Sequence, residues 1–173
     1  MLAVIGIVCA IVIPDLLAER ERARTRAAAR YLVQQCYAAR TRAIGRSTVV
    51  ALRFEERQGE YRLQMFTDEN RNGVRSADIA AGIDLPLGPS ESLSMNFPNV
   101  RIAMIPQLGL GSDPVRAGAG NLLSFTPVGT ATSASIFVAG RDGAQFAVRV
   151  LGTTGRTRLE RFDRQRRTWV DQW

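Results

Sequence analysis

Residues 2–17 read LAVIGIVCAIVIPDLL, an apolar run broken only by Pro14 and Asp15. A helix on a soluble core alternates faces, whereas one that is apolar all round belongs in a membrane or in deep burial. The uninterrupted part, 2–13, falls short of the roughly 20 residues that a bilayer-spanning helix needs. It also carries neither the basic n-region nor the small-residue cleavage site of a secretory signal. It is expected to be a fragment of something longer, or an interfacial segment. Pro14 lacks an N–H and its ring meets the preceding turn, which predicts a kink in the helix and not a clean stop.

Residues 18–47 continue as AERERARTRAAARYLVQQCYAARTRAIGRS. Ala and Arg are strong helix formers. Ala28, Leu32, Cys36, Ala39 and Ala43 recur at steps of four and three and make one apolar stripe, while Arg20, Arg24, Arg26, Arg30 and Arg42 fall largely elsewhere. One face can pack on a sheet and the other stay solvated, and Gly45 and Ser47 close the helix. The result is a single helix of roughly 40 residues, longer than an ordinary globular domain uses.

At Thr48 the period changes to two. Residues 48–54 and 61–66 read as a hairpin around EERQGE, and 67–89, full of Asp, Asn, Gly and Pro, reads as loop. Further strands are expected at 100–105, 122–126, 135–139, 145–151, 158–162 and 168–170, with turns at GRDG (140–143) and GTTG (152–155). The glycine-rich stretch 109–120 lacks the Lys-Ser/Thr ending of a phosphate loop. The expected architecture is α+β, a long N-terminal stalk helix over 1–46 and an antiparallel β-sheet head with a basic tail over 47–173.

Charge sharpens this picture. All 23 basic residues are arginine, against 16 acids. Residues 1–46 hold eight arginines against three acids, residues 141–173 eight against four, and the middle seven against nine. The positive excess therefore lies in the helix and the C-terminal tail, a prior for phosphate-rich partners such as nucleic acid or anionic lipid. The absence of histidine and lysine removes the commonest general base, the commonest zinc ligand and Schiff-base chemistry. No pair of acids stands out as a cleft, so an enzyme is not expected, and no cofactor is implied. Cys9 and Cys36 fall 27 residues apart in one helix and cannot pair within it.

Asp68-Glu-Asn70-Arg-Asn72-Gly73 has the D-x-N-x-N-G opening of a calcium loop. The closing position holds Ile79, with Asp78 one place early, and Arg71 and Arg75 bring positive charge near. A tight turn with Asn and Gly in left-handed conformations explains the same residues, and no metal site is expected.

The apolar helix LAVIGIVCAIVIP, AARTRAI at 38–44, FTDENRNGVR at 66–75 and FTPVGTATSASIFVAGRDGAQFAVRVLGTTGRTR at 125–158 together resemble the type IV pilin-like proteins, specifically the GspH/FimT branch of minor pilins and pseudopilins. The resemblance implies a single-pass inner-membrane protein with a periplasmic head, processing by a prepilin peptidase, and packing among other pilins or pseudopilins. Leu2, Val4, Ile5, Ile7, Val8, Ile11, Val12, Ile13 and Pro14 would form the membrane and filament-core part. The family's processing site, a Gly before an aromatic or apolar residue and then a Glu, is expected just upstream of Leu2, so no processing residue is carried over. FimT-like pilins with a G-R-x-R tail are associated with DNA uptake, which implies double-stranded DNA as a partner of Gly155, Arg156 and Arg158. If Arg158 starts a strand, both guanidiniums project to one side, and Arg161, Arg164, Arg166 and Arg167 extend the charge. Trp169 and Trp173 could stack on bases or cap the core. The competing reading of the same residues is a glycine turn and a strand whose arginines pair with Glu160 or Asp163. A GspH-like pseudopilin of a type II secretion system, without a nucleic-acid role, is the alternative function.

Overall fold

The computed structural model of the chain describes residues 2–172, with side chains from Glu19 onward. Helix α1 (Leu2–Arg46) is continuous through Pro14, so the proline does not end it. The side chains of the apolar stretch 2–17 lie outside the described residues. α1 stops where Ser47 turns left-handed at φ 53°, with Ser47 N donating to Ile44 O and Thr48 N to Ala43 O.

Strands β1 (Val50–Arg57) and β2 (Glu60–Thr67) form the expected hairpin, each longer than the alternation suggested. Their register brings Arg57 opposite Glu60, leaving a two-residue turn, Gln58-Gly59, with φ of 54° and 76°. Two successive left-handed residues match the right-handed twist of the flanking strands, which is why glycine sits there. The stretch read as loop folds into α2 (Ser76–Ala80) and β3 (Leu85–Pro86), and β4 (Glu91–Ser92) and α3 (Leu93–Asn96) follow. Then come β5 (Val100–Ile102), β6 (Val115–Arg116), β7 (Leu122–Phe125), β8 (Ala134–Gly140), β9 (Gln145–Leu151), β10 (Arg156–Asp163) and β11 (Thr168–Asp171). β5 is shorter than expected, with three residues between its end and a 3-10 turn at Pro106, and β6 emerges from the glycine-rich stretch.

The described strands make two antiparallel sheets. The first runs β3-β2-β1-β7 with β4 also on β2, and the second runs β11-β10-β9-β8-β5 with β6 also on β8. Among the described residues the buried positions of α1 are Thr25, Ala28, Ala29, Leu32, Val33, Cys36, Ala39 and Ala43, which contain the whole stripe read from the sequence. They pack on β1 and β7 of the first sheet and on β5, β8, β9 and β10 of the second. The helix is thus the shared spine of one core, with Phe54, Leu52, Phe125, Ile136, Val148 and Leu159 closing on it. Each such large side chain contributes about 1.5–3 kcal/mol on burial. A smaller cluster of Ala51, Phe66, Val74 and Leu122 lies apart from it, beneath α2.

Candidate nucleic-acid interface

β10 alternates as the period of two requires. Thr157 and Leu159 are buried, and Arg156 and Arg158 are exposed on the opposite face. Thr157 turns inward to the Cys36 thiol. Burial pushes that thiol up to about 12, with the Thr157 hydroxyl opposing the shift. Among the described residues neither Arg156 nor Arg158 makes an ion pair. Glu160, one of the acids expected to hold them, is taken by Arg149, whose Nε lies 2.6 Å from Glu160 Oε2. Asp163 caps the β10–β11 turn instead, with Oδ1 accepting from Gln165 N at 2.9 Å and Arg166 N at 3.2 Å.

Gly155 has a different role from its arginines. It is buried at φ 61°, and a Cβ there would collide with the carbonyl oxygen of Gly129. That carbonyl accepts from Arg40 Nε at 3.1 Å. The glycine therefore seats the start of β10 against the 126–130 turn and the helix. Arg40, which sequence reasoning passed over, stands next to the motif; AARTRAI at 38–44 was the signal for it.

The register of the second sheet adds two more residues. Arg158 pairs with Arg149, Arg149 with Ser135, and Ser135 with Arg116. Directly opposite residues share a face, and neighbouring strands lie about 4.8 Å apart. Three arginines thus stand in one row across four strands, roughly 14 Å from end to end. Like charges opposite each other repel, and Glu160 offsets this at the Arg158–Arg149 step. Two of the three are held in place by aromatic rings. Arg116 lies 5.2 Å and Arg149 6.0 Å from the Phe137 ring centre, and Arg149 lies 5.4 Å from that of Trp169. Arg149 Nη1 also donates to Ser135 Oγ at 3.1 Å, and Arg116 Nη2 to Leu110 O at 3.1 Å. Trp169 meets Phe162 edge-on at 5.2 Å and Phe137 at 5.6 Å, so it caps the sheet rather than standing free. Trp173 lies outside the described residues.

The remaining arginines of the tail point elsewhere. Arg161 falls on the helix-facing side of β10 and lines a groove with Arg22, Arg26, Arg30 and Arg164. Arg164 donates to the Gly143 carbonyl and fastens the β10–β11 turn to the GRDG turn. Arg166 and Arg167 are exposed in the β10–β11 turn, at the far end of β10 from Arg156. The arginine patch read as one stretch of chain is therefore three separate groups.

The chain matches no family model, no curated protein and no solved structure. Among the described residues no helix is long and apolar enough to cross a membrane.

Proposed function

We propose that the chain is a minor pilin or pseudopilin of the GspH/FimT type, a structural subunit of a type IV pilus. In this reading residues 2–17, bent at Pro14, lie first in the inner membrane and then in the filament core, and the head faces the periplasm. The observation that carries it is α1, one helix of 45 residues. Between Thr25 and Ala43 one face of it is buried in the head, and its earlier part is apolar on every side in the sequence. A helix with two such halves suits a subunit that is anchored by one and folded around the other. Incorporation tests it. Ile7→Asp in the full chain is expected to remove the subunit from filaments sheared off cells while the head still folds, and undiminished incorporation refutes the reading.

The head is proposed to hold double-stranded DNA through Arg156 and Arg158, with Arg149 and Arg116 extending the positive row. Two unpaired guanidiniums two residues apart on a strand face reach neighbouring phosphates by forked hydrogen bonds. Binding of this kind is sequence-independent and falls with salt at a slope of about −0.9 per phosphate contact. Arg156→Gln with Arg158→Gln is expected to flatten that slope by about 2 in fluorescence-anisotropy titrations of a labelled duplex. An unchanged affinity and slope would leave the secretion pseudopilin, with no nucleic-acid role, as the surviving reading.

A further inference from the structure

Residues 68–73 open like a calcium loop, but the position that should close it holds Ile79. The fold brings an acid from farther along the chain. β2 and β3 end on the pairs Phe66–Pro86 and Thr67–Leu85. Asp68 follows the last paired residue of β2 and Asp84 precedes the first of β3, so both flank the same end of the ladder. Both carboxylates turn under the same short stretch of backbone. Asp68 Oδ2 accepts from Gly73 N at 2.8 Å, and Asp84 Oδ2 accepts from Arg75 N at 3.0 Å. The two residues are only 4% and 1% exposed. The second oxygen of each, Asp68 Oδ1 and Asp84 Oδ1, is sealed from solvent and has no hydrogen-bond partner. Arg71 and Arg75 are exposed, and among the described residues no arginine forms an ion pair with either aspartate. Two buried, adjacent carboxylates without a cation are unfavourable, and a cation between their free oxygens removes the penalty.

We propose that Asp68 and Asp84 together bind a calcium ion that fastens the 68–84 loop to the edge of the first sheet. The described residues hold no cluster of three or more Asp, Glu, Cys or His side chains suited to a metal, so the other ligands must be neutral oxygens. Calcium accepts amide and carbonyl oxygens and water in an irregular shell, whereas magnesium demands a near-ideal octahedron and zinc prefers nitrogen and sulfur. Asn70 and Asn72 are exposed in the same loop. Asp78 Oδ2 accepts from Asn72 Nδ2 at 3.0 Å and from Asn70 Nδ2 at 3.5 Å, which turns both amide nitrogens toward Asp78. Asn70 Oδ1 accepts from Asn72 N at 3.2 Å. The acid that closes the site thus comes from the residue just before β3, five places beyond Ile79. The inference is independent of the filament reading.

Titrating the full chain, stripped with EGTA, with calcium chloride tests it by calorimetry and thermal unfolding. Saturable one-to-one binding is expected, with Kd on the order of 10⁻⁴–10⁻³ M. At ten times Kd the Tm should rise by about 3–6 °C, and magnesium at the same concentration should raise it by less than half as much. Asp68→Asn and Asp84→Asn keep an oxygen for each backbone hydrogen bond and should weaken binding at least tenfold, while the exposed Glu69→Gln should not. The wild-type titration decides even if a variant folds poorly. A flat calorimetric trace to 10 mM calcium with an unmoved Tm overturns the proposal. Wild-type affinity in both Asn variants overturns it too.

Discussion

Replacing Gly155 with alanine separates the structural part of the Gly-Arg-Thr-Arg segment from its charged part. At φ 61° a side chain with a Cβ pays about 1–2 kcal/mol in backbone strain. The new methyl would also strike the Gly129 carbonyl oxygen and stand 3.1 Å from Arg40 Nε and 3.3 Å from Arg40 Cδ. To relieve the clash, the 126–130 turn or Arg40 must shift, and the Arg40–Gly129 hydrogen bond is lost. A hydrogen bond from a charged donor is worth about 1.5–3 kcal/mol. The total is about 3–5 kcal/mol, or a fall in Tm of about 6–20 °C for a domain of this size. Arg156→Gln, at an exposed position without an ion pair, should stay within about 0.5 kcal/mol of wild type. Urea unfolding followed by tryptophan fluorescence and by circular dichroism measures both. If Gly155→Ala is as stable as Arg156→Gln, the left-handed turn does not require glycine and the coupling of β10 to Arg40 is wrong.

Leu32→Ala removes a side chain 1% exposed in the middle of the helix stripe, and should cost about 2–5 kcal/mol in urea unfolding. In a Cys9→Ser background, Cys36 should resist iodoacetamide in the folded protein at pH 8 and react only on unfolding, because burial raises its thiol to about 12. The same shift makes the fold sensitive to alkali. Unfolded thiol loses its proton above about pH 9 while the folded thiol keeps its own, so stability should fall by about 1.4 kcal/mol per pH unit up to about 12. Burial and the Glu91 carboxylate, whose Oε2 accepts from Tyr31 Oη at 2.5 Å, raise the Tyr31 hydroxyl to about 12 and act in the same direction above pH 10. Cys36→Ala should remove the thiol share of the alkaline loss, and an unchanged slope would contradict the burial argument.

The elements that could be read from the sequence are those long enough to show a period. The stripe from Ala28 to Ala43 reappears as a buried face, and the alternation at the start of β10 as buried Thr157 and Leu159 between exposed Arg156 and Arg158. Strands of two residues carry no period, so β3, β4 and β6 were invisible, and β3 and β6 bear on the two candidate sites. Arg116 joins the arginine row only through β6, and Asp84 is brought to the end of β2 that Asp68 follows only through β3. Register between distant strands is a tertiary fact, and nothing local in GSDPVRAG or AGIDLPL encodes it. Arg161 is a different case. Five residues from Arg156 on a strand of period two, it had to face the other way, and counting charges along the chain concealed what parity implies.

The helix at the centre of the core also sets the order of events during synthesis. α1 is complete once Arg46 has been made, and helices of this kind form within about a microsecond. The strands that cover its stripe end at Asp163, and Cys36 finds Thr157 only then. At about 5–20 residues per second the ribosome needs on the order of ten seconds to reach that point. For that time the side chains from Thr25 to Ala43 form a finished but uncovered surface, and contacts so distant in sequence close slowly. Losses to aggregation should therefore follow the pace of translation through β8–β10 more closely than the stability of the finished head.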